Sequence, residues 1–135
     1  LVYSSLALHY VEDVQGLFRR VAGWLTPGAG LVFSVEHPIY TAPRAPEWAI
    51  VNGREVWSLD RYLQEGARTT NWLADGVVKQ HRTIGTYVRL LRDAGFTLLA
   101  IDEWGPNATQ VQQNPDWARE RDRPMFLLVA ARRNA

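Results

Sequence analysis

The sequence contains no cysteine among its 135 residues. Disulfides, a thiolate nucleophile and cysteine-ligated metal are therefore excluded. An excess of one charge is also missing, because 15 basic and 14 acidic residues leave a net charge of +1. That balance gives no electrostatic basis for binding nucleic acid or an anionic membrane surface. No apolar run approaches the roughly 18 residues that span a bilayer, and no secretory signal is visible, so we expect a cytoplasmic protein.

Methionine is nearly absent. The only one is Met125, and the sequence opens on Leu1-Val2-Tyr3, which is already strand-like. We interpret the sequence as a fragment that lacks an N-terminal part. The residues present can still form a core, since 47 % are hydrophobic and 21 % are charged, and the length is typical of one domain.

A short strand at 31–35 organises the predicted fold. These residues are apolar except for Ser34, follow two glycines and precede Pro38, which is typical of a strand buried on both faces of a parallel sheet. A strand at 1–6 and a helix capped by Asp13 precede it. Strand–helix–strand order predicts a parallel pair. The predicted apolar face of the helix consists of Leu17, Phe18, Val21, Trp24 and Leu25.

The second half of the chain predicts an α/β ending. A helix spans 83–94 and ends at Gly95, a strand follows at 96–101, and a last apolar strand spans 125–131. Residues 105–123 between these strands are interpreted as a polar loop. Because this link is short for a parallel crossover, the last two strands are expected to pair antiparallel.

Residues 39–80 predict a separate unit. Asn52-Gly53 and Asp75-Gly76 favour two β-hairpins with two-residue turns, and 59–64 is interpreted as a helical turn between them. Two hairpins cannot hold a core alone. We therefore expect an inserted lid at 39–80 over a core of 1–38 and 81–135, close to the strand ends where open α/β sheets bind ligands.

Two stretches resemble the second half of a class I S-adenosylmethionine-dependent methyltransferase of the type 11-like group. They are 2–13, which contains Leu6-Ala7-Leu8-His9, and 25–34, which contains Leu25-Thr26-Pro27-Gly28-Ala29-Gly30. The family pattern is a strand, a loop ending in Leu-x-His, a helix, and Leu-x-Pro-Gly-Gly before strand five. Ala29 departs from it where the second glycine is usual. Three shorter runs also resemble the family: His81-Arg82-Thr83, Ala94-Gly95-Phe96 and 123–129.

The resemblance implies the C-terminal half of a Rossmann-like methyltransferase sheet, strands four to seven with the last antiparallel, carrying a small β-hairpin lid. It implies methyl transfer from S-adenosyl-L-methionine to a small-molecule acceptor. The family's glycine-rich donor loop is not here, since Gly28-Ala29-Gly30 lies between a helix and a strand, the reverse of the order that such a loop needs. We therefore expect this part of the enzyme to be inactive alone.

By resemblance, Ser5, Leu6, Ala7 and His9 contact the methionine end of the cofactor. The alternative is an ordinary surface loop in which His9 caps the neighbouring helix. Glu36 and His37 follow the central strand, and we predict that one of them binds the acceptor or takes its proton. The alternative is a polar pair that fixes the turn before Pro38.

A metal site formed by His9, His37 and His81 with Glu36 is not expected, because nothing in their spacing places them on one face. His81 and Arg82 lie at a helix start, where the dipole disfavours cations, so they could hold an acidic acceptor. Arg68 is interpreted as part of a solvated hairpin edge. The residues predicted to bind the acceptor are Tyr40, Trp57, His81, Arg82 and Trp104.

Two interpretations stay open at this point. Trp48, Trp57, Trp72 and Trp104 either form an aromatic wall for a flat substrate or pack the lid onto the sheet. The chain is either part of a methyltransferase or a non-catalytic assembly module. In the second case an unpaired first strand would join two copies as a homodimer.

Overall fold

The computed structural model describes residues 1–72 and 74–135, and of Trp72 the backbone alone. The strands are β1 (Val2–Ser5), β2 (Gly30–Glu36), β3 (Trp48–Val51), β4 (Arg54–Trp57), β5 (Gly66–Trp72), β6 (Ala74–His81), β7 (Phe96–Trp104) and β8 (Phe126–Arg133). The helices are α1 (Val14–Trp24), α2 (Pro38–Thr41), α3 (Ile84–Asp93) and α4 (Ala108–Gln113), with 3₁₀ helices at Leu8–Tyr10 and Pro115–Arg121.

Four strands form the main sheet in the order β1-β2-β8-β7. β1 and β2 are parallel, with Val2 opposite Leu31 and Ser5 opposite Ser34. β8 is antiparallel to both β2 and β7. The predicted parallel pair and antiparallel ending are confirmed, and the fold is mixed α/β.

Both long helices cover one face of this sheet. Asp13 accepts a hydrogen bond from Gly16 N–H and begins α1, while Gly95 ends α3 with a φ of +84°. Phe33 of β2 packs between Phe18 of α1 and Tyr87 of α3, with ring centroids 5.5 and 6.1 Å apart. The rest of this core includes Val14, Val21, Leu31, Val35, Leu91, Leu127 and Val129.

Two burial predictions are wrong. Trp24 is 69 % exposed, because it lies six residues after Phe18, about 240° around the helix. β2 is fully buried on one face only: Leu31, Phe33 and Val35 are buried, whereas the alternate residues are half-buried. The reason is that α1 and α3 pack on the same face of the sheet and leave the opposite face, here called the open face, without a helical layer from the described residues.

The first hairpin follows the prediction. Val51 pairs with Arg54, so Asn52 and Gly53 form a two-residue turn, and their φ values of 51° and 75° are the positive values that such a turn requires. The hairpin is joined to α2 by a hydrogen bond of 2.9 Å from Trp57 Nε1 to Ile39 O.

The second hairpin is present, but its reversal is displaced from Asp75-Gly76. Trp72 pairs with Ala74, so both predicted turn residues lie within β6. Gly76 keeps a positive φ of 75°, and its N–H donates to Asn71 Oδ1 at 3.1 Å beside a register shift in β5. The strand that the sequence predicts before this turn is 68–73, and its last residue, Leu73, lies outside the described residues.

Three further segments differ from the prediction. Residues 59–64 form one hydrogen-bonded turn instead of a helical one, since Arg61 adopts a positive φ of 57° that a right-handed helix excludes. The predicted loop 105–123 contains α4, which Asn107 and Gln110 begin with reciprocal capping bonds. Pro38 begins α2 where we expected a chain stop, because proline fits the first turn of a helix.

Within the described ranges 1–72 and 74–135, no helix is both long and apolar enough to cross a membrane.

Candidate active site at the carboxyl ends of the strands

A buried ion pair joins the end of β2 to the second hairpin. Lys79 Nζ lies 2.6 Å from Glu36 Oε1, and the two side chains are 4 % and 10 % exposed. The second carboxylate oxygen, Oε2, is buried and has no hydrogen-bond partner among the residues that the structure describes. A buried carboxylate oxygen without a donor is unfavourable, so this atom is a candidate contact for a ligand.

A cavity of about 420 Å³, here called the hairpin cavity, lies next to this pair. It is lined by Tyr40, Arg44, Pro46, Thr69, Thr70, Asn71 and Lys79. A smaller space of about 10 Å³ shares four of these residues and reaches Glu36 and Arg68. The larger volume suits a small organic molecule, and the smaller one has room for about one water molecule.

A second, shallower pocket of about 220 Å³ lies on the open face, and we call it the β1–β2 pocket. Its lining is Ser5, Leu6, Ser34, Trp104, Phe126 and Leu128. Leu6 has a positive φ of 49° and donates from its N–H to Ser34 O at 3.0 Å. Strained backbone of this kind is concentrated at ligand sites. Two of the predicted cofactor residues, Ser5 and Leu6, therefore border a pocket, whereas Ala7 does not line it.

The His9 side chain is hydrogen-bonded to the backbone at the carboxyl end of β2. It is 2 % exposed, and its Nδ1 accepts a hydrogen bond of 3.3 Å from Glu36 N–H. Burial, and then the charge of Lys79, lower the pKa of His9 to about 4. It is thus neither part of an exposed loop nor a helix cap, and it holds Glu36 in place as a neutral imidazole. Cofactor contact by His9 stays a prediction.

His37 has both ring nitrogens engaged. Nδ1 accepts from Ile39 N–H at 3.0 Å and caps α2, which places the proton on Nε2, and Nε2 donates to Glu103 Oε1 at 2.8 Å. Burial lowers the pKa of His37, against the opposing effect of the Glu103 carboxylate. The geometry matches the alternative that we kept open, a polar residue fixing the turn before Pro38.

Three other basic residues of the predicted site region are buried and hydrogen-bonded within the chain: His81, Arg82 and Arg68. His81 bonds to Thr41 Oγ1 and Tyr62 O, each at 2.8 Å, and burial lowers its pKa. Arg82 donates to two backbone carbonyls before α1, at 2.6 Å each. Arg68 is buried and donates to Ala42 O at 3.2 Å, so our solvated-edge interpretation of it is wrong. Acceptor binding by His81 and Arg82 stays a prediction.

Trp48, Trp57 and Trp104, the predicted wall residues whose side chains the structure describes, do not form one stacked wall. Tyr40 and Trp57 stack at 5.4 Å, and Trp48 meets Trp57 at 5.6 Å. Trp104 lies apart, 6.4 Å from Trp117, and borders the β1–β2 pocket on the side where we expected the cofactor. The side chain of Trp72 lies outside the described residues.

Sequence reasoning missed three residues that organise this region. Lys79 pairs with Glu36 and Glu103 with His37. Arg123 lies over the rings of Tyr40 and Trp57, at 4.7 and 4.2 Å from the centroids. These contacts join residues that are far apart along the chain, so no spacing pattern could have indicated them.

Across residues 1–72 and 74–135, no group of three or more histidine, cysteine, aspartate or glutamate side chains is arranged to hold a metal ion.

Comparison with known proteins identifies this arrangement of strands and helices. No protein-family model matches the chain. It is 57 % identical to the crystal structure of an S-adenosylmethionine-dependent methyltransferase from Mesorhizobium loti, with a TM-score of 0.92 over 97 % of this chain and 60 % of that one. The chain has the methyltransferase fold. The recognised resemblance and the partial Rossmann-like fold class are confirmed.

Two other proteins extend the comparison. A proposed S-adenosylmethionine-dependent methyltransferase from Listeria monocytogenes is 35 % identical, with a TM-score of 0.86 over 99 % of this chain and 61 % of that one. An uncharacterised protein from Haemophilus influenzae is 29 % identical over 98 % of this chain and 53 % of its own length. More distant structures that hold S-adenosylmethionine, S-adenosylhomocysteine or sinefungin, at 16 to 20 % identity and TM-scores of 0.53 to 0.54, share the fold.

The chain spans about half to three fifths of the length of these relatives.

Proposed function

We propose that this chain forms the acceptor-binding part of an enzyme that transfers a methyl group from S-adenosyl-L-methionine to a small molecule in the cytoplasm. The observation that carries the proposal is a Glu36 carboxylate oxygen with no partner among the described residues, beside the hairpin cavity at the carboxyl end of a central strand. Ligands of open α/β sheets collect at this edge. The 57 % identity to a solved methyltransferase supports the choice of reaction.

The residues present can supply only part of a site for such a cofactor. When bound, S-adenosylmethionine supplies an electrophilic methyl group on a sulfonium. The β1–β2 pocket, at about 220 Å³, is smaller than the roughly 300 Å³ at which drug-sized sites begin, and its described lining carries no charged side chain to pair with the amino-acid end of the cofactor. In this proposal the remaining contacts come from the part of the full-length protein that the relatives have and this chain does not match.

Glu36 lines the small space that adjoins the hairpin cavity. Ser34, which lines the β1–β2 pocket, precedes Glu36 by two residues on the same side of β2, about 7 Å away. A donor held over Ser5 and Ser34 would therefore face an acceptor held in the hairpin cavity. Positioning two reactants in line and excluding water is the main task of a protein in methyl transfer. The hairpin β5–β6 is proposed as the lid that does so.

Calorimetric titration of the full-length protein with S-adenosylmethionine tests this proposal. We expect saturable binding, at least tenfold weaker in Ser5→Trp, because the indole would fill the β1–β2 pocket. Ser58→Trp, at an exposed position outside that pocket, is the matched control and should bind as the unchanged protein does. Absence of binding by the unchanged full-length protein would end the proposal. The 135-residue chain alone is expected to bind weakly and to transfer no methyl group.

A non-catalytic assembly module is the second candidate. β1 is the outer strand of the main sheet, with β2 as its hydrogen-bonded neighbour, and Leu1 and Tyr3 are exposed beside it. An open apolar edge of this kind favours pairing with a second copy. Light scattering after gel filtration decides: a dimer lost in Tyr3→Lys supports this candidate, and a monomer in both the full-length protein and the 135-residue chain rejects it.

A further inference from the structure

We infer that the acceptor presents an uncharged hydroxyl group to Glu36 Oε2, and that the reaction at this site is O-methylation with Glu36 taking the hydroxyl proton. The inference rests on the proposed methyl transfer and names the substrate class within it.

Glu36 needs a hydrogen-bond donor for one of its two carboxylate oxygens. Its Oε1 is held by Lys79 at 2.6 Å, and its backbone N–H is fixed by His9. Oε2 is buried without a partner in the described part of the chain. The adjoining space of about 10 Å³ holds about one water-sized group. A ligand atom there has to be small and has to carry a hydrogen.

The charged side chains around that space restrict which group can donate this hydrogen bond. Lys79 and Arg68 both line it together with Glu36, which sums to a charge of +1. Arg68 is buried, and the hydrogen bonds found for it go to the carbonyl oxygens of Ala42, Gln64, Gly66 and Ala67 instead of a carboxylate. The net positive charge of this lining disfavours an ammonium group. They favour a neutral hydroxyl and stabilise the partial negative charge that its oxygen gains as the proton leaves.

The rest of the wall of the small space beside the Glu36 carboxylate is uncharged. Tyr40, Pro43, Pro46 and Thr70 complete the lining of the small space. Burial, and then the charge of Glu36, raise the pKa of Tyr40, so its phenol stays protonated at neutral pH and adds no negative charge. The uncharged wall leaves Glu36 as the proton acceptor that faces a bound hydroxyl.

The reaction balances without another reagent. The acceptor oxygen forms a bond to the methyl carbon of the sulfonium donor, while the carbon–sulfur bond breaks and its electron pair stays on sulfur. The hydroxyl proton passes to Glu36 Oε2, which becomes a carboxylic acid still bonded to Lys79 through Oε1. The proton leaves to solvent when the methyl ether is released.

Binding of a matched pair of probes to the full-length protein tests the inference without the methyl donor. Benzyl alcohol and benzylamine have the same ring and differ in carrying a neutral hydroxyl or an ammonium. Titration followed by NMR is expected to show benzyl alcohol bound at least tenfold more tightly than benzylammonium. Single replacement of Glu36 would leave the buried charge of Lys79 without this carboxylate, so the test variant is the double replacement Glu36→Leu with Lys79→Met, which removes both charges.

We expect the double replacement to weaken benzyl alcohol binding about tenfold, the loss of one hydrogen bond to a charged group. Asp93→Asn, which removes an exposed ion pair with Arg92, is the control and should change nothing. Equal binding of the two probes, or benzyl alcohol binding unaffected by the double replacement, would overturn the inference. These outcomes are separate from S-adenosylmethionine titration, whose failure would instead remove the proposed function.

Discussion

At the scale of single residues, each of the three histidines is buried and hydrogen-bonded to other residues of the chain. His9 accepts from Glu36 N–H, His37 caps α2 and bonds to Glu103, and His81 joins α2 to the segment before β5. Burial lowers the pKa of each. The neutral imidazole has one donor and one acceptor nitrogen, and these sites use it in that form.

The low pKa of His9 predicts a loss of stability in acid. Its value falls from 6.5 to about 4 on folding, so the unfolded chain binds the proton first. The free energy of unfolding should be constant above about pH 7 with respect to this group. It should fall by about 2 to 3 kcal/mol between pH 6.5 and 4 and change no further below that. Urea unfolding at a series of pH values measures it.

His37 and His81 act in the same direction, so the variant His9→Asn should remove part of the slope and leave the rest. Equal stability of the unchanged protein at pH 7 and pH 5 would contradict the argument.

Replacement of Arg123 should weaken the packing of the first hairpin. Its guanidinium lies 4.2, 4.7 and 5.2 Å from the rings of Trp57, Tyr40 and Trp48, and its Nη2 lies 2.8 Å from Glu120 Oε2. Arg123→Lys should cost about 1 to 3 kcal/mol of unfolding free energy, because an ammonium cannot stack on three rings. Arg121→Lys, at an exposed position, should cost less than about 0.5 kcal/mol. Similar losses in both variants would remove this role.

At the scale of elements, glycines in different backbone conformations should respond in opposite directions to the same substitution. Gly53 has a φ of 75° in the first hairpin turn, and Gly23 lies in α1; an added Cβ meets no described atom within 4 Å at either site. Gly53→Ala should therefore destabilise the hairpin by about 1 kcal/mol through the backbone alone. Gly23→Ala should stabilise α1 by about 0.5 to 1 kcal/mol.

Amide hydrogen exchange separates the two effects. Protection of the β3–β4 amides should decrease in Gly53→Ala, and protection of α1 should increase in Gly23→Ala. A loss of protection in both variants would mean that added volume matters more than φ.

At the scale of the whole molecule, the open face of the main sheet carries no helical layer from the described residues. Leu128 is 38 % exposed on it, beside the β1–β2 pocket, while Leu127 on the other face is buried against α1 and α3. If this chain belongs to a longer protein and another part of that protein covers this face, Leu128→Ala in the longer protein should cost about 2 kcal/mol or more in urea unfolding. Leu63→Ala, at an exposed position, should cost almost nothing. Equal small effects would indicate that the face stays open.

The predictable part of the fold lies in elements whose signals are local. Asp13 and Gly95 bound their helices, Asn52-Gly53 forms its turn, and the order of strands and helices gives a parallel pair and an antiparallel ending. Asn107 and Gln110 carry a capping signal that sequence reasoning could have used for α4. The second reversal was misplaced because Asn71 bonds to Gly76 N–H across the hairpin.

The sequence by itself determined the fold class and the position of Glu36 at a strand end, because hydrophobic periodicity, caps and turn residues act over a few neighbouring positions. Only the tertiary structure decided which polar side chains are committed to other partners. His37 is occupied by Ile39 and Glu103, whereas Glu36 keeps one oxygen without a partner in the described residues. That distinction depends on Lys79 and Glu103, which approach from distant strands, and burial and charge at a site are properties of neighbours in space.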